Sequence, residues 1–365
     1  MNARNAVTTR SKSMDESVAD TNARVDFYER AEKEDLAPLW KVLAGLVPPA
    51  PRPKAVPYRW RYADIRPYLL EACEHVTAAE AERRVMVLEN PALKGLSRAS
   101  DSLFAGLQII LPGETAPGHR HVASALRFIV EGEDAYTAVD GERTMMLPGD
   151  FVITPSWTWH DHANVGRKPM IWLDGLDMHI VNLFNASFRE EAETESHEVR
   201  RPDDSSVIEF GYSMVPAHYE SPRGSSPIIN YPYTRAKEVL RSLNSHERAD
   251  AWRGHMIKYL NPLTGDWALP RLATCMRLLP AGFTTKPYRS TDSTVFAVVE
   301  GAGSSRIGGV EFDWHEKDVF VAPSWALQEH QARQDSMIFT YSDRAAQEKL
   351  GLFREALEQT AGSTA

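Results

Sequence analysis

The chain has 365 residues, 43% of them hydrophobic and 25% charged, with a formal net charge of −9; this is the make-up of a soluble globular protein with room for two ordinary domains or one large one. The acidic balance argues against a nucleic-acid surface and offers no long-range pull on anions, and no apolar run approaches the roughly 20 residues of a membrane helix. Two cysteines, Cys73 and Cys275, are too few and too far apart for a disulfide framework, so a reducing cytoplasm is expected.

Residues 1–22 are polar, mixed in charge and rich in Ser and Thr; they lack the apolar stretch of a signal peptide and read as a mobile tail. Residues 23–94 read as a helical N-terminal region followed by leading strands. The helix is expected over 21–46, with Asn22 as its cap and Val25, Tyr28, Ala31 and Leu36 to Trp40 at near-helical spacing. The prolines of Val47-Pro-Pro-Ala-Pro-Arg-Pro end it. Short β-like runs follow, such as Val85-Met-Val-Leu and Leu103 to Leu111. Through 95–190 short strands alternate with Gly, Pro and Asp turns, a rhythm that predicts a sandwich or barrel. Residues 191–254 are polar and charged, a candidate connector. A second strand-rich region covers 255–342, and 343–365 closes the chain with an amphipathic helix over 343–359 and a tail.

The two strand-rich regions resemble each other. Asp150-Phe-Val-Ile-Thr-Pro-Ser-Trp-Thr-Trp-His-Asp-His returns as Asp318-Val-Phe-Val-Ala-Pro-Ser-Trp-Ala-Leu-Gln-Glu-His, and Phe128-Ile-Val-Glu-Gly returns as Ala297-Val-Val-Glu-Gly. The offsets nearly agree, so the second half reads as a copy of the first.

Two blocks in the first copy carry chemistry. Gly113 is followed after five residues by His119-Arg-His121, after three more by Ala125, and after six more by Gly132. Gly149 is followed after five residues by Pro155, then by His160 and Asn164. In a strand, side chains two apart share a face, so His119 and His121 can grip one ion, and His160 can join from a second hairpin. Imidazoles suit Fe, Zn, Cu and Ni, and three protein ligands leave open positions, as catalytic sites do. The blocks resemble the two cupin motifs, with Ala125 where a glutamate is usual and Trp157 where a glycine is usual.

The missing glutamate leaves an ion with its full charge, which favours an anionic chelating substrate. Arg127 shares the inward face of Ala125 and could clamp a carboxylate. His162 has the parity of His160, as an orienting group or a proton donor, and Asp174 could hold one of these histidines or arginines. On the strand Leu103 to Leu111 the odd positions are apolar, while Phe104, Gly106 and Gln108 form a mixed face that could line a ring pocket, with free space expected at Gly106. Arg83 is a further candidate for anion binding. In the second copy Gln328 stands for His160, and Tyr288 and Ser290 stand, within a residue, for His119 and His121. His330 stands for His162. That half therefore reads as metal-free and structural.

Taken with Ser124-Ala-Leu-Arg-Phe, Trp157-Thr-Trp-His-Asp-His162 and Trp172-Leu-Asp-Gly-Leu-Asp, the chain resembles the gentisate 1,2-dioxygenase-type bicupins, which also include salicylate and 1-hydroxy-2-naphthoate dioxygenases. The resemblance implies a mainly β fold, two jelly-roll-like barrels in one chain with helical N- and C-terminal segments, and a homotetramer. It implies Fe(II) held by His119, His121 and His160. The reaction implied is opening of a hydroxylated aromatic acid by O2 between the carboxyl-bearing and adjacent hydroxyl-bearing carbons, gentisate giving maleylpyruvate. No Gly-rich dinucleotide fingerprint accompanies these motifs, in keeping with a reaction that needs no nicotinamide. A zinc or nickel cupin acting as isomerase or lyase is the alternative that histidines alone leave open.

Overall fold

The structure, a computed structural model, describes residues 14–358 except 195, 197, 213 and 220–223. The described chain divides after Pro51 into two compact units. Most of the expected tail lies outside the described residues. In the first unit, helices Met14–Lys33 and Leu39–Leu46 replace the single helix predicted over 21–46. The break has two causes: Asp35 takes a left-handed conformation (φ +55°), and Pro38 disfavours helical backbone in the residue before it. Within this unit Trp40 Nε1 donates to Tyr28 Oη at 3.1 Å. None of the side chains of Leu39–Leu46 is buried.

The second unit is built from four antiparallel sheets. A six-stranded sheet runs in the order Asn230–Tyr231, Phe151–Thr154, Ala125–Glu131, Met170–Leu176, Phe104–Ile110 and Val85–Val87. It faces a five-stranded sheet ordered Arg189–Glu191, Thr115–His121, His160–Asn164, Ala135–Val139 and Glu142–Met146. In the second half a six-stranded sheet runs Tyr58–Trp60, Val319–Ala322, Thr294–Glu300, Ser336–Ser342, Ala273–Leu279 and His255–Lys258. Its five-stranded partner runs Val310–His315, Ala302–Ile307, Gln328–Ala332, Tyr288–Ser290 and Glu355–Leu357.

Alternation along the strands decides the layering. On Ala125–Glu131, the residues Leu126, Phe128 and Val130 point one way, and on Phe104–Ile110 the odd positions do the same. They meet Met276, Leu278, Val295, Ala297, Met337 and Phe339 in one large core, so the two six-stranded sheets pack back to back. The stacked rings of Phe128 and Phe339, 4.4 Å apart, mark the centre of that contact. Helices Tyr62–His75 and Tyr233–His246 add Leu69, Ala236 and Leu240 to the same core. The opposite strand faces close two smaller cores, one inside each sheet pair.

The halves also exchange edges. Tyr58–Trp60, which precedes the first half, pairs with Val319–Ala322 of the second, and Asn230–Tyr231, between the halves, pairs with Phe151–Thr154 of the first. This exchange and the shared core explain why both halves fall in one unit. The stretch 191–254 is correspondingly more than a connector, because it carries the helices Ser205–Phe210 and Tyr233–His246 as well as that edge strand. At the C-terminus, the helix predicted over 343–359 is only Arg344–Lys349. Gly351 (φ +71°) turns the chain, and Glu355–Leu357 pairs with Tyr288–Ser290.

Candidate metal centre

The five-stranded sheet of the first half assembles the three histidines. Thr115–His121 and His160–Asn164 are antiparallel neighbours in which His119 stands opposite His160, while His121 shares the face of His119 two residues on. The ring centroids lie 4.3 to 5.1 Å apart, and one nitrogen from each ring falls within 4.8 Å of the others. Among the described residues this is the one group of three or more such side chains that could hold a metal ion.

Their second nitrogens are engaged. His121 Nδ1 lies 2.7 Å from the Ala123 carbonyl and His160 Nδ1 lies 2.9 Å from that of Thr158. Carbonyls accept only, so each Nδ1 carries the proton and each Nε2 keeps a free lone pair. His160 Nε2 is buried without a hydrogen-bond partner, an orphan that a metal ion would satisfy. His119 differs: Arg83 Nη2 lies 2.7 Å from its Nδ1 while also donating to the Pro117 carbonyl. The Pro117 carbonyl is itself 3.4 Å from His119 Nδ1 and would accept from an Nδ1–H, so the ring can take the tautomer that frees Nε2 for a metal once Arg83 turns aside.

Electrostatics keep all three rings neutral. Burial, then the Arg83 charge, pushes His119 down to about 2. Burial pushes His121 down to about 4 against the bond to Ala123, with Arg127 adding to the effect. His160 falls well below its usual range through burial and then Arg127. Neutral imidazole is the form that binds metal, so no proton competes for these sites near pH 7.

Arg127 and Asp174 are cross-strand partners on the facing six-stranded sheet. Arg127 Nε and Asp174 Oδ1 are 3.6 Å apart, both residues are 95% or more buried, and Arg127 Nη1 donates to Thr154 Oγ1. Asp174 also accepts from Trp172 Nε1 at 3.0 Å. Burial raises the Asp174 carboxyl to about 6 although Arg127 pulls it down. Arg83 is lowered to about 10 by burial and by the Arg127 charge, and stays cationic. The Arg83 and Arg127 charges thus act on a triad of neutral imidazoles, with Asp174 beside Arg127.

His162, fully buried beside His160, contacts Thr137 Oγ1 through Nδ1 at 2.9 Å, and its ring centroid lies 5.5 Å from that of Trp172. Phe104, Gly106 and Gln108 lie on the strand face opposite the back-to-back core, with Gly106 directly across from Asp174. The expected free space at Gly106 is absent. A Cβ there would sit 2.5 Å from Val85 Cγ1 and 3.1 Å from Phe104 Cζ, because those side chains fill the volume the glycine leaves. A cavity of about 530 Å3, lined by Val207, Phe210, Tyr231 and Leu260 among others, includes none of these site residues.

Two supporting residues, Arg120 and Thr137, were not singled out from sequence, and the departure at Trp157 gains a backbone reason. Arg120, between the two strand histidines, points outward. Its guanidinium lies 4.6 Å from the Trp157 ring centroid and 4.7 Å from that of Trp159, and it pairs with Glu190. Trp157 has φ +61°, the left-handed backbone for which this position usually carries glycine, and its N–H donates to the His121 carbonyl. Its repeat partner Trp325 has the same φ and donates to the Ser290 carbonyl. Thr137 escaped notice because nothing in the sequence marks a strand threonine as a histidine's partner.

A cupin-domain family model matches residues 106–176. Over 344 residues the chain is 50% identical to a gentisate 1,2-dioxygenase of Aquipseudomonas alcaligenes, covering 94% of this chain and 99% of that protein. It is 36% identical to a 5-aminosalicylate 1,2-dioxygenase of Comamonas sp, covering 90% and 88%. A variant of the salicylate 1,2-dioxygenase of Pseudoaminobacter salicylatoxidans, solved in complex with gentisate, superposes with a TM-score of 0.88 at 32% identity, covering 97% of this chain and 99% of that one. The chain therefore belongs to the gentisate and salicylate 1,2-dioxygenase family of bicupins.

Proposed function

We propose that this protein is an Fe(II)-dependent gentisate 1,2-dioxygenase, which opens the ring between C1 and C2 with both atoms of O2 to give maleylpyruvate. The observation that carries this reading is the neutral three-histidine group set against Arg127 and Arg83, in a chain 50% identical to a gentisate 1,2-dioxygenase along nearly its whole length. Each sheet pair with its enclosed core is read as one jelly-roll barrel: a catalytic barrel over 95–190 and a metal-free, structural one over 255–342.

His119, His121 and His160 would hold the iron. When bound it supplies Lewis acidity that favours the ionised hydroxyl of the substrate, and a redox path between an electron-rich ring and dioxygen. The chain's own residues do the rest. Arg127, braced by Asp174 and Thr154, presents a fixed guanidinium to the substrate carboxylate. Arg83, turned away from His119, adds a second positive group on the same side. His162, held by Thr137, hydrogen-bonds the substrate and supplies or takes a proton at the reacting ring. Phe104, Gly106 and Gln108 form the wall that receives the ring. With Val85 and Phe104 closing the space over Gly106, the wall suits one compact ring, which favours gentisate over a bicyclic acid.

The exposed apolar residues Leu39, Trp40, Leu43 and Leu46 support burial of the N-terminal helices against other copies, consistent with a homotetramer. Two free cysteines, and no described helix long and apolar enough to cross a membrane, support a cytoplasmic enzyme. The deciding assay supplies the Fe(II)-loaded protein aerobically with gentisate, salicylate and 1-hydroxy-2-naphthoate side by side and follows O2 uptake and ring-opened product. Gentisate should turn over fastest with one O2 consumed per ring. No activity on any of the three, or turnover without O2 uptake, would overturn the proposal.

A further inference from the structure

The second half keeps a small cavity between its two sheets, at the place where the first half carries its histidines. Tyr288 stands opposite Gln328 there, as His119 stands opposite His160. Hydroxyl and amide groups have replaced imidazoles, so hydrogen-bond donors line the space in place of metal ligands. The cavity holds about 60 Å3, several times the minimum for one water and enough for a ligand of a few heavy atoms.

Arg277 lines this cavity from the strand Ala273–Leu279 and is 96% buried by its 4% exposure. Its guanidinium is poorly satisfied. Nε and Nη1 have no hydrogen-bond partner, while Nη2 reaches only Tyr288 Oη at 3.4 Å and Met256 Sδ at 4.0 Å. Phe296 lies beneath it, 5.2 Å from ring centroid to Cζ. The neighbouring cations are already paired, Arg253 with Glu355 and Arg344 with Glu348. Arg277 makes no ion pair among the described residues. Asp292, also on the wall and 7% exposed, has an Oδ1 without a partner, and its Oδ2 accepts only from Thr294 at 3.4 Å. A buried, unpaired guanidinium is among the costliest groups a fold can carry, and breaking its pairing normally destabilises strongly.

With Arg253 and Arg344 neutralised by Glu355 and Glu348, the charges left unpaired on the lining are Arg277 and Asp292, and Arg277 offers the free N–H donors. We infer that the cavity of the second half is a binding site for one small monoanion, held by Arg277 with Tyr288 and Ser290 as further donors. An oxyanion that also bears a hydroxyl, such as bicarbonate, fits best, because its O–H would satisfy Asp292 Oδ1. Formate and the halides share the charge and the size. An aromatic acid is too large. The second half would then be an anion-stabilised support for the first, having exchanged a cation for an anion at the equivalent place.

The test is thermal unfolding of the full-length iron-loaded protein at constant ionic strength, with gluconate, too bulky to enter, replaced stepwise by formate, bicarbonate or bromide. A saturable rise of about 2–4 °C is expected for the small anions. It should persist in Arg127→Gln, which removes the anion-binding arginine of the first half, and vanish in Arg277→Met. A rise that survives Arg277→Met, or none in the native protein, overturns the inference. Should Arg277→Met fail to fold, crystals of the native protein soaked in bromide decide: an anomalous peak within contact distance of Arg277 supports the site, and water alone there refutes it. A response to bicarbonate that formate and bromide do not match would identify the hydroxyl-bearing oxyanion as the preferred ligand.

Discussion

The hydroxyl of Tyr341, in the second half, donates to the main-chain carbonyl of Phe104, in the first, at 2.7 Å. The contact is possible because residue 175 is glycine: a Cβ there would lie 2.8 Å from Tyr341 Cζ. Gly175 follows Asp174 and faces Ala105, so Tyr341 wedges the strand that carries Asp174 against the strand that carries Phe104 and Gly106. The half without the histidines thereby sets the spacing of the wall proposed to receive substrate. Gly175→Ala should cost about 1–3 kcal/mol through overpacking. It should also lower kcat/KM, because Asp174 and its partner Arg127 would shift with the strand. Thermal unfolding and steady-state kinetics check this; an unchanged melting temperature would mean that Tyr341 yields freely and sets nothing.

The three histidines separate from His162 by what each loss removes. His160→Ala should abolish iron binding and lower ring cleavage by more than about 100-fold, the upper range for disturbing groups that merely support a metal. His162→Gln should keep the iron and lose about 10²–10⁴ in kcat, as expected for loss of acid–base help. Chelator-treated native protein should regain activity with Fe(II) and not with Zn(II). Iron content and product formation measured on the same samples test all three. Ring cleavage that persists in His160→Ala would break the assignment of ligands.

Arg127 and Asp174 form a buried pair 3.6 Å apart, and their substitutions should diverge. Arg127→Gln should reduce kcat/KM about 10- to 150-fold, the value of a charge-assisted hydrogen bond to carboxylate. Arg127→Lys should not restore it, since a point charge cannot reproduce the planar fork. Asp174→Asn leaves a guanidinium buried beside Arg83 and should destabilise the fold by about 3 kcal/mol or more. Kinetics with gentisate and with an analogue lacking the carboxyl would separate binding from folding effects. Equal losses on both substrates in Arg127→Gln would remove the carboxylate clamp from the mechanism.

Much of this was legible in the sequence, and the exceptions have physical reasons. His119, His121 and His160 were legible because strand periodicity puts i and i+2 on one face and the Gly149–Asp150 turn before His160 marked a second hairpin. The same periodicity set Arg127 on the face of Ala125 and grouped Phe104, Gly106 and Gln108 on one face. Long-range exchange was hidden. Nothing local announces that Tyr58–Trp60 pairs with Val319–Ala322, or that Tyr341 reaches Phe104, because both depend on two sheets packing back to back. The helix break at Asp35 was missed because the apolar positions on either side still match one helical period. Gly106 misled for a related reason: a missing side chain shows where space could be, and Val85 from the edge strand decided that it is filled.

Asp343 offers a test of the fold's response to pH that is independent of the histidines. Its carboxyl is almost fully buried, accepts from Ser102 Oγ at 2.6 Å and from the Ser293 N–H at 2.9 Å, and faces Asp292. Burial, and then the Asp292 charge, raises it from 3.8 to about 7. An acid that holds its proton more tightly in the folded state stabilises the fold while protonated. Between about pH 4 and about pH 7 the unfolded chain has lost that proton and the folded one has not, so stability falls as pH rises through this window. Asp343→Asn fixes the neutral form. Whatever constant penalty the amide brings by mis-pairing with Ser102 or Ser293, the variant should gain stability relative to native protein as pH goes from 5 to 8. Asp174, raised in the same direction, stays in both proteins and cancels from the comparison. Melting temperatures of the two proteins at pH 5, 6.5 and 8 give the answer. A difference that does not change with pH would show that Asp343 is already ionised in the fold, with its charge carried by the hydrogen bonds to Ser102 and Ser293.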